Sequence, residues 1–251
     1  MKGSCVIVML ATLLHGCDRT HDSTYPIVRL PPSCAQRRIQ LAIVGDSLAR
    51  GWGASAPQHT FASLVYSSVR HQYPRTTLHN LGIPGATTDR IAAGEVSRIR
   101  KDDCTLVVIV SGANDVQKLY TPHHFRTSYG ELLKSVRSRL PDAGVVVIGL
   151  PDVSLSPRII WPFKPIESWL SRDGSASIAR EARTYGAAFV PLYALSRKEA
   201  YRSKSLLSGD GIHPNDEGYR IMARAALPSI TMLLPRLVSE TPLIFSFRTE
   251  R

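Results

Sequence analysis

The sequence has few acidic residues for its number of basic ones, and it lacks any recognisable nucleic-acid-binding motif. Its 20 aspartates and glutamates stand against 31 lysines and arginines, which gives a formal net charge of +11. Such a charge favours contact with anionic lipid headgroups or polyanions, although a solvated basic surface is the simpler interpretation. Because no ribonucleoprotein signature, zinc-finger spacing or clustered basic helix occurs, we expect no nucleic acid among its partners.

The four cysteines and eight histidines lack the spacing of metal ligands. No Cys-x-x-Cys pair occurs, and neither the adjacent His123 and His124 nor the scattered histidines follow a zinc-binding pattern. Gly82-Ile-Pro-Gly85 does not have the pattern of a phosphate-binding loop. These absences argue against a zinc hydrolase and against a nucleotide-binding loop.

The amino terminus has an apolar run that is too short to span a bilayer. Lys2 precedes the apolar residues 5–14, and a polar stretch follows Cys17, which is typical of a signal peptide at residues 1–17. We therefore expect export to a bacterial periplasm. The residues before Cys17 resemble a lipoprotein cleavage box, which predicts lipid anchoring to a membrane through Cys17. His15 departs from the small residue usual in that box, so ordinary secretion stays open as the alternative.

Two cysteines would remain in the exported chain once Cys5 is removed and Cys17 is acylated. An oxidising periplasm could join Cys34 to Cys104 in a disulfide. The alternative, which the sequence favours slightly, is that Cys104 is a small buried hydrophobe beside the apolar run 106–110.

The length of the chain suits one α/β domain, and no internal repeat or low-complexity tract divides it. Residues 18–37 contain Pro26, Pro31 and Pro32 with few large apolar side chains, so we interpret them as a linker. The domain is expected to occupy residues 38–235, and residues 236–251 form a C-terminal tail. The sequence does not indicate an oligomeric state.

Within the expected domain, short apolar runs alternate with longer segments of helical periodicity. The predicted strands are residues 39–44, 77–81, 105–110, 145–149 and 187–190. The predicted helices are residues 61–69, 91–99, 129–140, 178–185 and 216–234. Near-continuous β-branched runs suit strands that are buried on both faces of a parallel sheet. The alternation predicts a doubly wound three-layer α/β/α sandwich with about five parallel strands.

Polar motifs follow the first three predicted strands. Ser47, in Gly45-Asp46-Ser47-Leu48, follows the first strand, Gly85 follows the second, and Asn114 follows the third. Ligand sites in open α/β sheets lie beyond the carboxyl ends of the strands. If these strands are neighbours in the sheet, the three residues will therefore lie close together. A fourth motif, Asp210-Gly-Ile-His213-Pro-Asn215, precedes the last predicted helix.

Three of these residues have the chemistry of a nucleophile, its base and an orienting acid. A serine hydroxyl is a weak nucleophile, so Ser47 would need an adjacent general base. His213 is the candidate base, because histidine is mostly neutral near pH 7 and can accept a proton. Asp210 could bind the other ring nitrogen and fix the tautomer. The structural alternatives are a helix N-cap for Ser47 and a plain turn, followed by an Asn215 cap, for the fourth motif.

The same motifs offer donors for an oxyanion. The backbone N–H groups of Ser47 and Gly85 and the side-chain amide of Asn114 are suited to bind a developing negative charge. Alternatively, Gly85 serves only a positive φ and Asn114 only a turn.

In their order along the chain, the four motifs resemble the four blocks of the SGNH, or GDSL, hydrolase family. The resemblance covers roughly residues 38–235 and implies a flavodoxin-like α/β/α sandwich and a serine esterase, thioesterase or lipase without metal or cofactor. It implies that Ser47 is the nucleophile, Asp210 and His213 complete the catalytic triad, and Gly85 and Asn114 join Ser47 in the oxyanion hole. The motifs are most similar to those of the bacterial periplasmic arylesterase, thioesterase and lysophospholipase branch.

The resemblance leaves the substrate open. We expect hydrolysis of carboxylic esters, with acyl thioesters or lysophospholipids as candidates, and deacetylation of an envelope or plant polysaccharide as the alternative. A non-catalytic envelope binding module with this fold is a further alternative. The proline- and aromatic-rich connection at residues 151–170 is expected to line or cover an acyl pocket, or else to pack against the edge of the domain.

Overall fold

The computed structural model describes residues 25–102, 104–202 and 206–235 and contains one five-stranded parallel sheet. The strand order is β2-β1-β3-β4-β5. The strands are β1 (Gln40–Gly45), β2 (Thr77–Asn80), β3 (Thr105–Val110), β4 (Gly144–Ile148) and β5 (Ala188–Val190). This topology confirms the doubly wound α/β/α sandwich, and each strand begins and ends within one residue of its prediction.

The central strands are continuous apolar runs because both faces of the sheet are covered. Every residue of β1, β3 and β4 is buried. Successive side chains point to opposite faces, so Ile43 and Val108 pack in one core cluster while Val44 and Ile109 pack in the other. In the parallel register Ile43 lies beside Val108 and Val108 beside Val146, which aligns the carboxyl ends of β1, β3 and β4.

Helices cover both faces of the sheet. They are α1 (Ser47–Arg50), α2 (Phe61–Gln72), α3 (Thr88–Gly94), α4 (Ala113–Gln117), α5 (Pro122–Arg139), α6 (Phe163–Thr184), α7 (Tyr193–Arg202) and α8 (Asp216–Leu233). Short 3-10 turns occur at Pro32–Ala35, Pro57–His59, Val96–Arg98 and Val153–Leu155. α2 and α8 contribute to one core cluster, and α3, α5 and α6 to the other. Among the described helices, none is both long enough and apolar enough to cross a membrane.

Three helices begin earlier than their periodicity predicted, α3 by three residues and α5 and α6 by more. α5 begins at Pro122, where the Thr121 hydroxyl accepts a hydrogen bond from the His124 N–H and caps the helix. α6 begins at Phe163, so residues 163–170 of the connection at residues 151–170 are α-helical. Pro157 and Pro162 precede α6 and Pro165 lies in its first turn, so the segment has the proline content of a loop although its apolar residues have helical spacing.

Cys34 and Cys104 form a disulfide, with their Cα atoms 5.6 Å apart. Both side chains are fully buried, so the predicted burial of Cys104 is confirmed, but the preference for an unpaired thiol was wrong. The bond ties the segment before β1 to the residue that precedes β3. The sequence could not show this because the two cysteines are 70 residues apart and no pattern connects them.

The predicted signal peptide, including Cys17, and the predicted tail at residues 236–251 lie outside the described residues. The part of the expected linker that the structure describes, residues 25–37, contacts the domain. The Leu30 N–H donates to the Leu233 carbonyl, and the Tyr25 N–H donates to the Thr184 carbonyl. Leu30 is buried in the core cluster of α2 and α8.

Candidate active site

Ser47 lies at the carboxyl end of β1, on the turn that leads into α1. Gly45 precedes the turn with a φ of 153°, and a Cβ atom there would lie 1.9 Å from the Val110 carbonyl oxygen. Only glycine therefore lets β1 leave the sheet so close to β3. Asp46 caps α1, since its Oδ1 accepts a hydrogen bond of 2.9 Å from the Leu48 N–H. Ser47, as the first residue of α1, therefore lies at the positive end of the helix.

The catalytic residues predicted from the sequence form one chain of hydrogen bonds. His213 Nε2 lies 2.9 Å from Ser47 Oγ, and His213 Nδ1 lies 2.6 Å from Asp210 Oδ2. With the ring proton on Nδ1 shared with Asp210, Nε2 is left to accept the proton of the serine hydroxyl. The structural alternative for Ser47 does not hold, because Asp46 supplies the N-cap.

Asp210 is held as an ionised carboxylate by its hydrogen bonds. Its Oδ1 accepts bonds from the backbone N–H groups of Ile212 and His213, at 2.8 and 3.0 Å, and from the Ser208 hydroxyl at 2.8 Å. Partial burial raises the pKa of Asp210, but these bonds and the one to the His213 ring outweigh it, so the pKa lies well below its usual range. A permanently charged partner suits a histidine that must carry a positive charge transiently.

The loop that carries Asp210 and His213 is joined to the rest of the site by several contacts. Asn215 caps α8 through the Gly218 N–H, as the turn in the sequence suggested. The Ser156 hydroxyl donates to the Gly211 carbonyl, and Arg158 Nε donates to the Asp210 carbonyl. The Trp52 ring meets the His213 ring edge to face with centroids 5.6 Å apart. The imidazole is therefore oriented by its packing as well as by Asp210.

The candidate oxyanion donors line the same cavity as Ser47. Gly85 has a φ of 75°, which favours glycine although a Cβ there would meet no atom within 4 Å. Asn114 Nδ2 donates to the Ala86 carbonyl at 3.0 Å, which fixes the amide beside the Gly85 turn and leaves its second N–H for another acceptor. Within the described part of the chain, the backbone N–H groups of Ser47 and Gly85 donate to no protein acceptor.

Three buried carboxyl groups lie behind the Ser47 turn. Burial, together with the nearby Asp115 and Glu95 carboxyls, raises the pKa of Asp46 to about 7 against the opposing hydrogen bond from the Leu48 N–H. Burial likewise raises the pKa of Glu95 to about 7, although its Oε2 accepts a hydrogen bond of 3.1 Å from the Gly45 N–H. Glu95 thus holds the backbone two residues before Ser47. This role of Glu95 could not be predicted from the sequence.

A cavity of about 650 Å³ opens beside Ser47, and its wall is mainly apolar. It lies between the loop of His213, the beginning of α8, α7 and the turn after β4. Leu155, Leu192, Leu195, Leu206, Ile221 and Met222 are among the residues that line it. Their place in the cavity wall could not be predicted from the sequence, because single leucines are ordinarily core residues. Of the connection at residues 151–170, Pro151–Val153, Leu155 and Ser156 line the cavity.

One cluster in the described residues has the composition of a cation site. Ligand atoms of Asp89, Asp115 and His124 lie within 4.8 Å of one another, a proximity that the sequence spacing did not reveal. Asp115 accepts hydrogen bonds from the Thr88 N–H and hydroxyl and approaches His124 Nε2 at 3.2 Å. These contacts account for the position of the Asp115 carboxylate without a metal ion.

The chain is similar in sequence and in fold to known lipases and esterases. The chain is 24% identical to a GDSL lipase of Mycobacterium tuberculosis over 92% of this chain and 95% of that protein. Its fold is similar to that of a lipolytic G-D-S-L protein from Veillonella parvula, with a TM-score of 0.64 and 16% identity over 78% of this chain and all of that one. It is also similar to a two-domain esterase active on acetylated mannans, with a TM-score of 0.59 and 20% identity over 82% of this chain and 52% of that one.

The family itself is shown by a match over most of the domain. The model of the GDSL-like lipase/acylhydrolase family matches residues 43–221, which include the predicted nucleophile, base and orienting acid. The chain therefore belongs to the GDSL-like lipase/acylhydrolase family and is a serine hydrolase that acts on ester bonds.

Proposed function

We propose that the protein hydrolyses carboxylic esters through an acyl-enzyme on Ser47, with His213 as general base and Asp210 as its orienting partner. The observation that supports this most strongly is the continuous hydrogen-bonded series from Ser47 Oγ through the His213 ring to Asp210, at 2.9 and 2.6 Å. These are the distances over which a proton can pass between a nucleophile and its base.

Acylation begins when Ser47 Oγ attacks the carbonyl carbon of the ester. His213 Nε2 takes the hydroxyl proton as the new C–O bond forms, and the carbonyl oxygen becomes an oxyanion. The N–H groups of Ser47 and Gly85 and the Asn114 amide bind that oxyanion. As the tetrahedral intermediate collapses, the bond to the leaving oxygen or sulfur breaks and His213 donates the proton to it.

Deacylation repeats the sequence with water. His213 takes a proton from water, whose oxygen attacks the carbonyl carbon of the acyl-enzyme. The intermediate then expels Ser47 Oγ, which recovers its proton from the imidazolium. Asp210 remains ionised throughout, because its three further hydrogen bonds favour the carboxylate form.

An acyl group of medium or long chain is the substrate feature that the cavity favours. Its volume of about 650 Å³ and its leucine-rich wall suit an apolar chain that extends from the carbonyl carbon at Ser47. Acyl thioesters and lysophospholipids are therefore the candidate substrates.

Deacetylation of a polysaccharide is the second candidate function. It is favoured by the similarity in fold to the esterase active on acetylated mannans, although at 20% identity this likeness concerns the fold alone. The large apolar cavity argues against it, because an acetyl group would leave most of that volume unfilled.

A panel of esters separates the two functions. The rate constant kcat/KM is measured for p-nitrophenyl esters from acetate to palmitate, beside acetyl release from acetylated mannan. We expect kcat/KM to rise with chain length until the cavity is filled. Dominant acetyl release with refusal of longer chains would contradict the proposal and support the polysaccharide function.

Export is proposed on separate grounds, namely the signal-like residues 1–17 and the buried Cys34–Cys104 disulfide, which is typical of oxidising compartments. Mass spectrometry of the mature amino terminus tests both forms of export. A lipid-modified Cys17 would establish anchoring, a free amine at another residue would establish secretion without it, and an intact Met1 would contradict export.

A further inference from the structure

A group of large apolar side chains is exposed on the segment that follows the cavity wall. Ile160 and Trp161 are 66% and 76% exposed, and Phe163, Ile166 and Trp169 are between 42% and 44% exposed. We call these five residues the apolar patch. Single exposed apolar residues are ordinary on protein surfaces, but five within ten residues of sequence are not, and such patches mark sites of interaction.

The geometry of α6 accounts for the exposure of the patch. Phe163, Ile166 and Trp169 recur every three residues and therefore lie along one face of the helix. Glu167 and Leu170, which directly follow Ile166 and Trp169 in the sequence, are buried. The side of the helix that packs on the domain therefore lies next to the row of Phe163, Ile166 and Trp169, and this row is left toward solvent.

The patch is joined to the active site but lies outside its cavity. The cavity lining in this segment ends at Ser156. The segment is fixed to the catalytic loop by the Ser156 hydroxyl on the Gly211 carbonyl and by Arg158 Nε on the Asp210 carbonyl, at 2.6 and 2.8 Å. Leu155 and Ile212 line the cavity and are also partly exposed, so apolar surface is present at the rim as well as on the patch.

The exposed charges beside the patch are positive. Among residues 157–169 the exposed charged side chains are those of Arg158 and Lys164, and the one acidic side chain, that of Glu167, is buried. Both basic side chains are exposed, and neither forms an ion pair with any of the described residues. The net charge of +11 has the same sign.

We propose that the apolar patch is a docking surface for an anionic phospholipid membrane. Tryptophan has an apolar body and one polar N–H, so it partitions to the boundary between headgroups and acyl chains, where Trp161 and Trp169 would insert. Arg158 and Lys164 would contact the headgroup phosphates, each adding attraction to anionic lipid. Docking would bring the rim of the cavity to the membrane surface, from which an ester-linked acyl chain can enter.

A second copy of this chain fits the patch less well. In a two-fold interface the same patch faces itself, so Arg158 and Lys164 would meet their own copies without a neutralising acid from this segment. An anionic membrane offers the opposite charge as well as an apolar layer.

Vesicle binding tests the proposal without relying on hydrolysis. The full chain is mixed with vesicles of phosphatidylglycerol and phosphatidylcholine in equal parts, or of phosphatidylcholine alone, and the bound fraction is measured by sedimentation. The double variant Trp161→Ala/Phe163→Ala is compared with Met232→Ala, an exposed apolar residue near the end of α8. Lys164→Gln is compared with Lys134→Gln, an exposed lysine on α5. All proteins share residues 1–24, so any contribution of that segment cancels.

Wild type is expected to bind the phosphatidylglycerol vesicles more tightly than the neutral ones. The double aromatic variant should lose at least about tenfold in partitioning, because burying one such side chain is worth about a factor of ten. Lys164→Gln should lose about fivefold on anionic vesicles alone. The Met232 and Lys134 controls should match wild type, and thermal melts establish that all variants are folded.

The proposal is overturned if wild type binds neither kind of vesicle, or if the aromatic variant binds the phosphatidylglycerol vesicles as tightly as wild type does. A wild-type dimer that the aromatic variant dissociates, without vesicle binding, would identify the patch as an interface between copies and also overturn the proposal. Turnover of soluble p-nitrophenyl acetate separates this test from that of the esterase function. The rate of this turnover should be equal in wild type and the aromatic variant. If neither protein hydrolysed p-nitrophenyl acetate, the esterase function would be contradicted, and vesicle binding could still be measured.

Discussion

Replacing Glu95 by glutamine is expected to change how the stability of the fold depends on pH. The Glu95 carboxyl is buried behind the nucleophile turn, where one oxygen accepts the Gly45 N–H and the other has no partner among the described residues. Glutamine has the same shape, and its amide oxygen can accept the same hydrogen bond. The substitution therefore keeps the contact with Gly45 while removing a group that can ionise.

The size and sign of the effect follow from the raised pKa. Burial raises the pKa of Glu95 from its ordinary value of 4.5 to about 7. Between these values the unfolded chain loses the proton while the folded chain keeps it, so stability falls as pH rises from about 4.5 to about 7 and stays lower above that. At about 1.4 kcal/mol per pH unit, Glu95 alone lowers the free energy of unfolding by about 3 kcal/mol at pH 8 relative to pH 4.5.

Urea unfolding of wild type and Glu95→Gln at pH 4.5 and pH 8 measures this difference. The variant should gain about 3 kcal/mol on wild type between the two pH values. Any constant cost of burying the amide is present at both and cancels. Glu131→Gln, an exposed position on α5, is the control and should follow wild type at both pH values. An equal change in the free energy of unfolding between pH 4.5 and pH 8 for wild type and Glu95→Gln would refute the reasoning, because Glu95 would then ionise in the fold as it does in the unfolded chain.

Three further predictions concern the site and the disulfide. Asn114→Ala should lower kcat about 100- to 1,000-fold through loss of one oxyanion donor, whereas Gln117→Ala, a change in the wall of the same cavity, should act mainly on KM. A kcat of Asn114→Ala similar to that of Gln117→Ala would contradict the role of Asn114. Asp210→Asn should lower kcat by about 10⁴-fold with little change in KM, because His213 loses the partner that fixes its tautomer. A decrease in kcat below about tenfold would exclude Asp210 as that partner. Replacing Cys34 and Cys104 by alanine opens a loop of 70 residues and should lower the free energy of unfolding by about 4 kcal/mol in urea titrations. A loss below about 1 kcal/mol would show that the disulfide contributes little to the stability of the fold.

The strands and the chemical residues could be predicted from the sequence for a physical reason. A strand buried on both faces must be apolar at nearly every position, so β3 was located without error from its β-branched run alone. Parallel strands also present their carboxyl ends at one edge, which is why Ser47, Gly85 and Asn114, each after a different strand, line one cavity.

Features that depend on distant pairing, and a helix that begins in a proline-rich segment, could not be predicted in this way. The hydrogen bond between Gly45 and Glu95 joins residues 50 apart, and nothing in the sequence around either residue indicates the other. The start of α6 could not be predicted because Pro157, Pro162 and Pro165 indicate a loop, although the apolar residues around them have helical spacing.

The central claim is that Ser47 is the nucleophile, and covalent labelling tests it most directly. A fluorophosphonate reacts with a serine hydroxyl only where an adjacent base activates it. Peptide mass spectrometry of labelled wild type should locate one adduct on Ser47, and Ser47→Ala should remain unlabelled while Ser196→Ala, which lacks another serine of the cavity wall, is still labelled on Ser47. No label on folded wild type, or equal labelling of wild type and Ser47→Ala, would contradict the account.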